Sequence, residues 1–393
     1  MNNTIAYQYI WKISYRLVVE EDYTVLHSEE GIVHLLRQKG KECHYIQLRL
    51  ADFLWEGTLI YDVRESAARL EDLRRRFGVR AMKGRIVYVC YESVADSMRE
   101  ALRAEQGIDE FQVSLDVAAY ALLERRWISK GESSGNHMLY SSALFAETEI
   151  SENDPPASYW MQRIEQTEVE RERELRETFF YGRPRFTYFF LVIIIALFIL
   201  MELSGGSQNP RVLLFFGAKY TPLILEGEWW RFITPMFLHI GLMHILFNGF
   251  ALYSLGTLTE QLYGSVRYFI IYMLAGISGV VGSFAFSPNL SAGASGAIFG
   301  LFGALLYFGT QNKSLFFQTL GTNILVVLGI NLAIGFLSPQ IIDNYAHLGG
   351  LIGGFLASAI VGLPRKKGNP FIKAGAFILL AVLIWWGMKR GGL

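Results

Sequence analysis

Ser295 lies in the run Gly293-Ala294-Ser295-Gly296, and His347 follows about fifty residues later in Ala346-His347-Leu348-Gly349-Gly350. A hydroxyl and an imidazole are the two groups of a nucleophile–base pair. Both lie in stretches apolar enough to be membrane helices, where a polar side chain is expensive and is a functional candidate by default. His244 and Asn248 share that setting, four residues apart and so on one helix face. An imidazole, an amide and the backbone N–H groups of a Gly-rich helix start, Gly293 included, are the donors a developing oxyanion needs.

Taken singly, each has a blander explanation. A serine between glycines is a packing motif, and a lone intramembrane histidine or an asparagine such as Asn323 or Asn331 is polar glue between helices. His239 reads as an interfacial packing residue. Depth separates the two views. With the inner helix ends as a common floor and about 1.5 Å of rise per residue, Ser295 stands roughly 22 Å above Thr310. His347 stands roughly 24 Å above Leu363, and His244 and Asn248 roughly 24 and 18 Å above Glu260. All four reach the outer half of a core about 30 Å thick. Glycines four apart, Gly296, Gly300 with Gly303, and Gly349, Gly350, Gly353 with Gly354, let the two helices come close enough for Ser295 to reach His347.

The elements that must position these groups follow from composition. Residues 1–185 carry 25 Lys+Arg and 31 Asp+Glu, leaving 11 and 5 for residues 186–393. The chain therefore splits near Pro184 into a soluble part of net −6 and a bilayer part of net +6. Apolar runs at 186–203, 236–257, 266–287, 295–310, 321–337, 344–363 and 371–388 predict seven transmembrane helices. Arg183, Arg185, Arg267, Lys313 and Arg365–Lys367 fall on one side, which sets the N-terminus in the cytoplasm and the C-terminus outside. Arg211, Lys219, Arg231, Lys389 and Arg390 fall on the other. The outer loop 204–235 carries Leu213–Phe216 and Trp229–Trp230, suited to the membrane interface.

The first part lacks a signal peptide, so it is expected in the cytoplasm. Cys43 and Cys90 read as free buried thiols. Strand-like alternation covers 8–26, 43–50 and Ile86–Tyr91, and Val63–Phe77 reads as a helix with Leu70, Leu73 and Phe77 on one face. These make residues 1–157 an α/β or α+β domain. Residues 158–185 read as a solvated, charged helical connector and 186–393 as the membrane domain. His27, Glu29, Glu30 and His34 could hold a divalent cation weakly, against the simpler reading of a solvated helix start. Net −6 argues against nucleic acid.

Residues 186–390 resemble the rhomboid family of intramembrane serine proteases. The resemblance rests on Trp230-Arg231, on His239-Ile-Gly-Leu-Met-His244-Ile-Leu-Phe-Asn248, on Gly293-Ala-Ser295-Gly296, and on Ala346-His347-Leu-Gly-Gly350-Leu-Ile-Gly-Gly354. The cytosolic domain and seventh helix are similar to the Bacillus-type form. The resemblance implies a polytopic all-α membrane protein, a six-helix core plus a C-terminal seventh helix. It also implies a Ser295–His347 dyad with no acidic third member and no cofactor or metal, and an oxyanion hole from Asn248, His244 and the Ser295 N–H. Phe299 stands where many members carry a tyrosine stacked on the catalytic imidazole. The substrate would be a transmembrane helix that unwinds near its outer end, the loop Ser338–Asp343 would be a lid, and the soluble domain a regulator or an adaptor for cytosolic partners. Two other classes compete: a non-catalytic rhomboid-like protein that binds membrane clients, and a transporter, which the lack of an intramembrane acid disfavours.

Overall fold

A computed structural model of the chain describes every residue except 1, 40–41, 52–55, 93, 95, 97–98, 101, 103–107, 111, 129–140, 150, 152, 339 and 341. It divides into two compact units, Met1–Arg173 and Glu174–Leu393.

The first unit opens with a helix, α1 (Asn2–Glu21), where alternation predicts a strand. Ala6, Ile10, Ile13 and Leu17 are all buried. Their spacing of three and four is the helical period, which outweighs the β-branched and aromatic residues between them. Strands β1 (Thr24–Glu29), β2 (Ile32–Lys39) and β3 (Glu42–Leu50) form an antiparallel meander. Helix α2 (Glu56–Phe77) then crosses to β4 (Ala81–Cys90), which runs parallel to β3. β5 (Ile108–Glu110), β6 (Val113–Ala121) and β7 (Arg126–Ile128) complete a mixed sheet of seven described strands, with β6 parallel to β4. One face packs on α1 through Leu35, Leu48, Val87 and Val89. The other packs on α2 through Tyr45, Met82, Ile86 and Leu70, while Phe77 at the helix end is exposed. Burial on both faces explains the unbroken apolar text of Ile86–Cys90. Cys43 and Cys90 are free and buried, and burial pushes the Cys90 thiol up to about 11, which keeps it inert.

The suggested cation site takes another form. His27 and Glu29 lie on β1 and His34 on β2, in a hairpin and not at a helix start. The His34 Nδ1 shares a hydrogen bond of 2.5 Å with the Tyr45 hydroxyl, and the Arg69 guanidinium stands 3.2 Å from Nε2. A metal there would face a fixed positive charge, and no cluster of three or more metal-ligating side chains occurs among the described residues. After α3 (Ser141–Glu147) comes α4 (Ala157–Phe179), which is not solvated throughout. Ala157 and Ile164 are buried, and Trp160 and Met161 pack against the α1 core.

The second unit is helical. Five of its described helices are long and apolar enough to cross a membrane: α5 (Arg185–Leu203), α8 (Leu242–Tyr263), α9 (Ser265–Phe286), α13 (Asn344–Val361) and α14 (Pro370–Gly391). Between α5 and α8 lie two short helices, α6 (Pro210–Phe216) and α7 (Thr221–Leu225). Between α9 and α13 lie α10 (Ser295–Gln311), α11 (Lys313–Thr319) and α12 (Gly321–Leu337). α10 and α12 have 17 residues each and fall on the expected apolar runs 295–310 and 321–337, α12 being a shorter apolar helix. α8 begins at Leu242, six residues later than the apolar run. Pro235 and Gly241, with φ of +79°, impose a 3₁₀ turn and a bend first. A widened π turn spans Leu252–Gly256 within α8.

Glu260 organises the start of α5. It is fully buried and accepts the Arg185, Phe186 and Thr187 backbone N–H groups at 2.8–2.9 Å, with the Thr187 hydroxyl at 2.8 Å. A carboxylate there satisfies orphan donors and complements the helix dipole. The basic residues predicted on one side gather at this end. Ser265 donates to the Arg183 carbonyl, and Lys366 donates to the Gln311 carbonyl and Asn312 side chain. In the 204–235 loop Phe215, Trp229 and Trp230 are exposed, as an interfacial girdle requires, but Leu213 is core.

Candidate active site

Three helices meet at a single point. Glycines on α9, α10 and α13 clear the contact so that backbone approaches backbone at Gly279, Gly296, Gly349 and Gly350. A Cβ built on Gly279 of α9 would lie 2.8 Å from the Ala346 carbonyl oxygen and 3.2 Å from the Gly296 Cα. Ala346 precedes His347, and Gly296 follows Ser295. One on Gly349 would lie 2.6 Å from the Ser278 carbonyl oxygen. Gly350 likewise meets the Gly296 carbonyl, and Gly354 the Gly300 carbonyl.

Ser295 opens α10 and is half-buried; His347, in the first turn of α13, is buried. The Phe299 ring, one turn beyond Ser295, stacks on the His347 imidazole with centroids 4.1 Å apart and planes 12° from parallel. The expected support of the imidazole by an aromatic ring is therefore present without a hydroxyl. Asp343 caps α13: its carboxylate accepts the Ala346 N–H at 3.1 Å and the Ser283 hydroxyl at 2.5 Å. It is thereby spent on the helix start. The His347 Nδ1 is buried with no hydrogen-bond partner among the described residues, so no carboxylate holds it.

On the other side of Ser295, Gly293 stands at φ +147°. A Cβ there would come within 2.9 Å of the His244 Cε1 and Nε2 and 3.7 Å of the Ser295 Oγ. Glycine is what lets the His244 ring approach the serine. The His244 Nδ1 accepts the Ile240 N–H at 3.3 Å, which leaves the proton on Nε2, facing Gly293. Asn248 donates one amide N–H to the His244 carbonyl at 3.0 Å and keeps a second. The expectation that the Gly-rich stretch frees its backbone N–H groups is corrected at two positions. The Gly293 N–H bonds the Pro235 carbonyl at 2.9 Å, and the Ala294 N–H bonds His239 Nε2 at 3.3 Å. His239 is thus a fully buried anchor for the serine loop. Only its place in the same motif as His244 could have signalled that. Asn331 bonds the Val327 carbonyl of its own helix at 2.8 Å, not a neighbouring helix, among the described residues. The proposed lid, Ser338–Asp343, lies partly outside the described residues.

A glycine-packed helical bundle with serine, histidine and amide donors at one end defines a class, the rhomboid proteases, which are serine-type hydrolases of the membrane. The chain belongs to the rhomboid family. Residues 226–364 match the Rhomboid domain model. The Bacillus subtilis rhomboid protease GluP is 40% identical over 98% of this chain and 75% of its own length. That similarity therefore takes in the soluble unit, as the Bacillus-type form requires. The putative rhomboid protease YdcA of the same organism is 38% identical over 34% of this chain and 68% of its own. RHOMBOID-like protein 9, chloroplastic, of Arabidopsis thaliana is 37% identical over 36% of this chain and 33% of its own.

Proposed function

We propose that this rhomboid protease is an endopeptidase that cuts transmembrane segments of other membrane proteins near their outer end, with Ser295 as nucleophile and His347 as general base. The observation that carries the reading is the contact of Gly279, Gly296 and Ala346, which brings the neighbours of both residues to one point. The Phe299 stack on His347 supports it.

In this reading His347 takes the Ser295 proton as Oγ attacks the scissile carbonyl carbon. The oxyanion is met by the Ser295 N–H at the positive end of α10, by the His244 Nε2–H and by the second Asn248 N–H. His347 then returns the proton to the departing amine. Water, activated by the same imidazole, hydrolyses the acyl-enzyme. The spent Asp343 and the unpartnered Nδ1 favour a dyad over a triad. Hydrolysis needs water at this depth, and the half-buried Ser295 and His244 suit a wet site. A helical peptide bond is shielded, so substrates with helix-breaking residues near the cut are preferred. The basic inner end argues for a cytoplasmic N-terminus and an outer C-terminus in the cell membrane. The soluble unit is then a cytoplasmic regulator or adaptor.

The test is cleavage of a model transmembrane substrate in proteoliposomes, with fluorophosphonate labelling. Wild type cuts and labels at Ser295, and Ser295→Ala and His347→Ala do neither. Cleavage by either variant refutes the assignment, and an unlabelled, inactive wild type favours a client-binding protein instead.

A further inference from the structure

Lys219 lies between α6 and α7, far from Ser295 in sequence, and is fully buried. No carboxylate lies within ion-pair distance of it among the described residues. Its ammonium donates to two backbone carbonyls, those of Ser287 and, at 3.1 Å, Asn289. Its own backbone pairs with Ser291 in both directions, N–H to carbonyl at 2.9 Å and carbonyl to N–H at 3.0 Å. Residues 287–294 form the strap between α9 and α10, and the strap ends on Ser295. The segment between α7 and α8 holds its far end through Pro235 and His239.

A buried ammonium is expensive, and an apolar side chain of the same length fills the space at lower cost. Lysine is required here for what it binds: its ammonium donates to two carbonyls of the strap, which lies outside the helices. The residue is itself clamped. Arg231 donates to the Ala218 carbonyl at 2.7 Å, and the Thr234 hydroxyl to the Gly217 carbonyl at 2.6 Å. Among the described residues, the carboxylate that acts on the ammonium is Asp343, the residue that caps the His347 helix.

We infer that Lys219 is a positioning residue of the hydrolase: it fixes the strap so that Ser295 and the Gly293 corner hold their reactive geometry. This rests on the assignment of Ser295 as nucleophile. Displacements of about 1 Å at a reacting atom cost on the order of 100-fold in rate. Lys219→Met keeps the volume and removes the donors. The measurements are the rate constant for fluorophosphonate labelling of Ser295, kcat and KM for a transmembrane substrate, amide hydrogen exchange of residues 287–294, and the thermal midpoint. The expected result is a 10- to 100-fold loss in labelling rate and kcat, KM within about twofold, faster exchange of the strap, and a midpoint within a few degrees of wild type. Lys219→Gln, which retains two donors, falls between. Labelling and kcat at wild-type values in Lys219→Met overturn the inference. So does a loss that only tracks the fraction of folded protein, since that is a structural role. Failure of wild type to label at all refutes the nucleophile assignment itself, which is a different result.

Discussion

Gly279→Ala tests the geometry at its tightest point. The added methyl would sit 2.8 Å from the Ala346 carbonyl oxygen and 3.2 Å from the Gly296 Cα. Ordinary contact for such a carbon begins near 3.4 Å, so a gap of about 0.6 Å must open on the His347 side and about 0.2 Å on the Ser295 side. Both neighbours are backbone in packed helices and cannot swing away as a side chain tip would. Overpacking of this kind costs roughly 1–3 kcal/mol, and here the relief comes from moving α13 and α10 off α9 by those unequal amounts. A shift of several tenths of an ångström between nucleophile and base then lowers kcat by about 10- to 100-fold. The assay is cleavage of a transmembrane substrate in proteoliposomes, with a thermal midpoint for each variant. Gly329→Ala is the control, since a Cβ there meets nothing within 4 Å, and it retains wild-type kcat. Wild-type kcat in Gly279→Ala, or an equal loss in Gly329→Ala, refutes the argument.

The Phe299 stack on His347 has the geometry of an offset aromatic pair, worth about 0.5–1.5 kcal/mol. Phe299→Ala lowers kcat about 3- to 10-fold while Phe299→Tyr stays within about twofold; equal rates in all three would remove the ring from the mechanism. Glu260→Gln loses the charge that four donors share, for roughly 2–3 kcal/mol. The thermal midpoint in detergent falls by several degrees, and an unchanged midpoint counts against the cap. In the soluble unit burial, with the Arg69 charge beside it, pulls His34 from 6.5 down to about 4. The fold therefore excludes a proton that the unfolded chain binds. The stability so gained is complete above pH 6.5 and lost as pH falls towards 4, about 3 kcal/mol in all. The protection factors of the β2 and β3 amides, corrected for the intrinsic exchange rate at each pH, should fall over that window in the full-length protein, and His34→Gln should flatten the change; the same slope in both assigns it elsewhere.

Local chemistry was enough to read the membrane half and the family, and to single out the residues proposed for the site. A run of apolar residues reports its own burial, and serine, histidine and asparagine stand out in such a background. The glycine spacing of α10 and α13 also announced their close approach. By contrast, α1 was read as a strand because its β-branched and aromatic residues obscured a helical period that only packing against the sheet reveals. The cation reading of His34 failed for a similar reason, because Arg69 on α2 meets it across the sheet and no sequence spacing links them. Lys219 and Glu260 looked like a loop cation and a helix-end acid. Their partners are backbone groups of the 287–289 strap and of Arg185–Thr187, and backbone carries no sequence signature. Residue types thus determined which chemistry is available and which segments are apolar. Tertiary structure alone decided which carbonyls and N–H groups each buried charge must satisfy, because those contacts form only when distant segments pack.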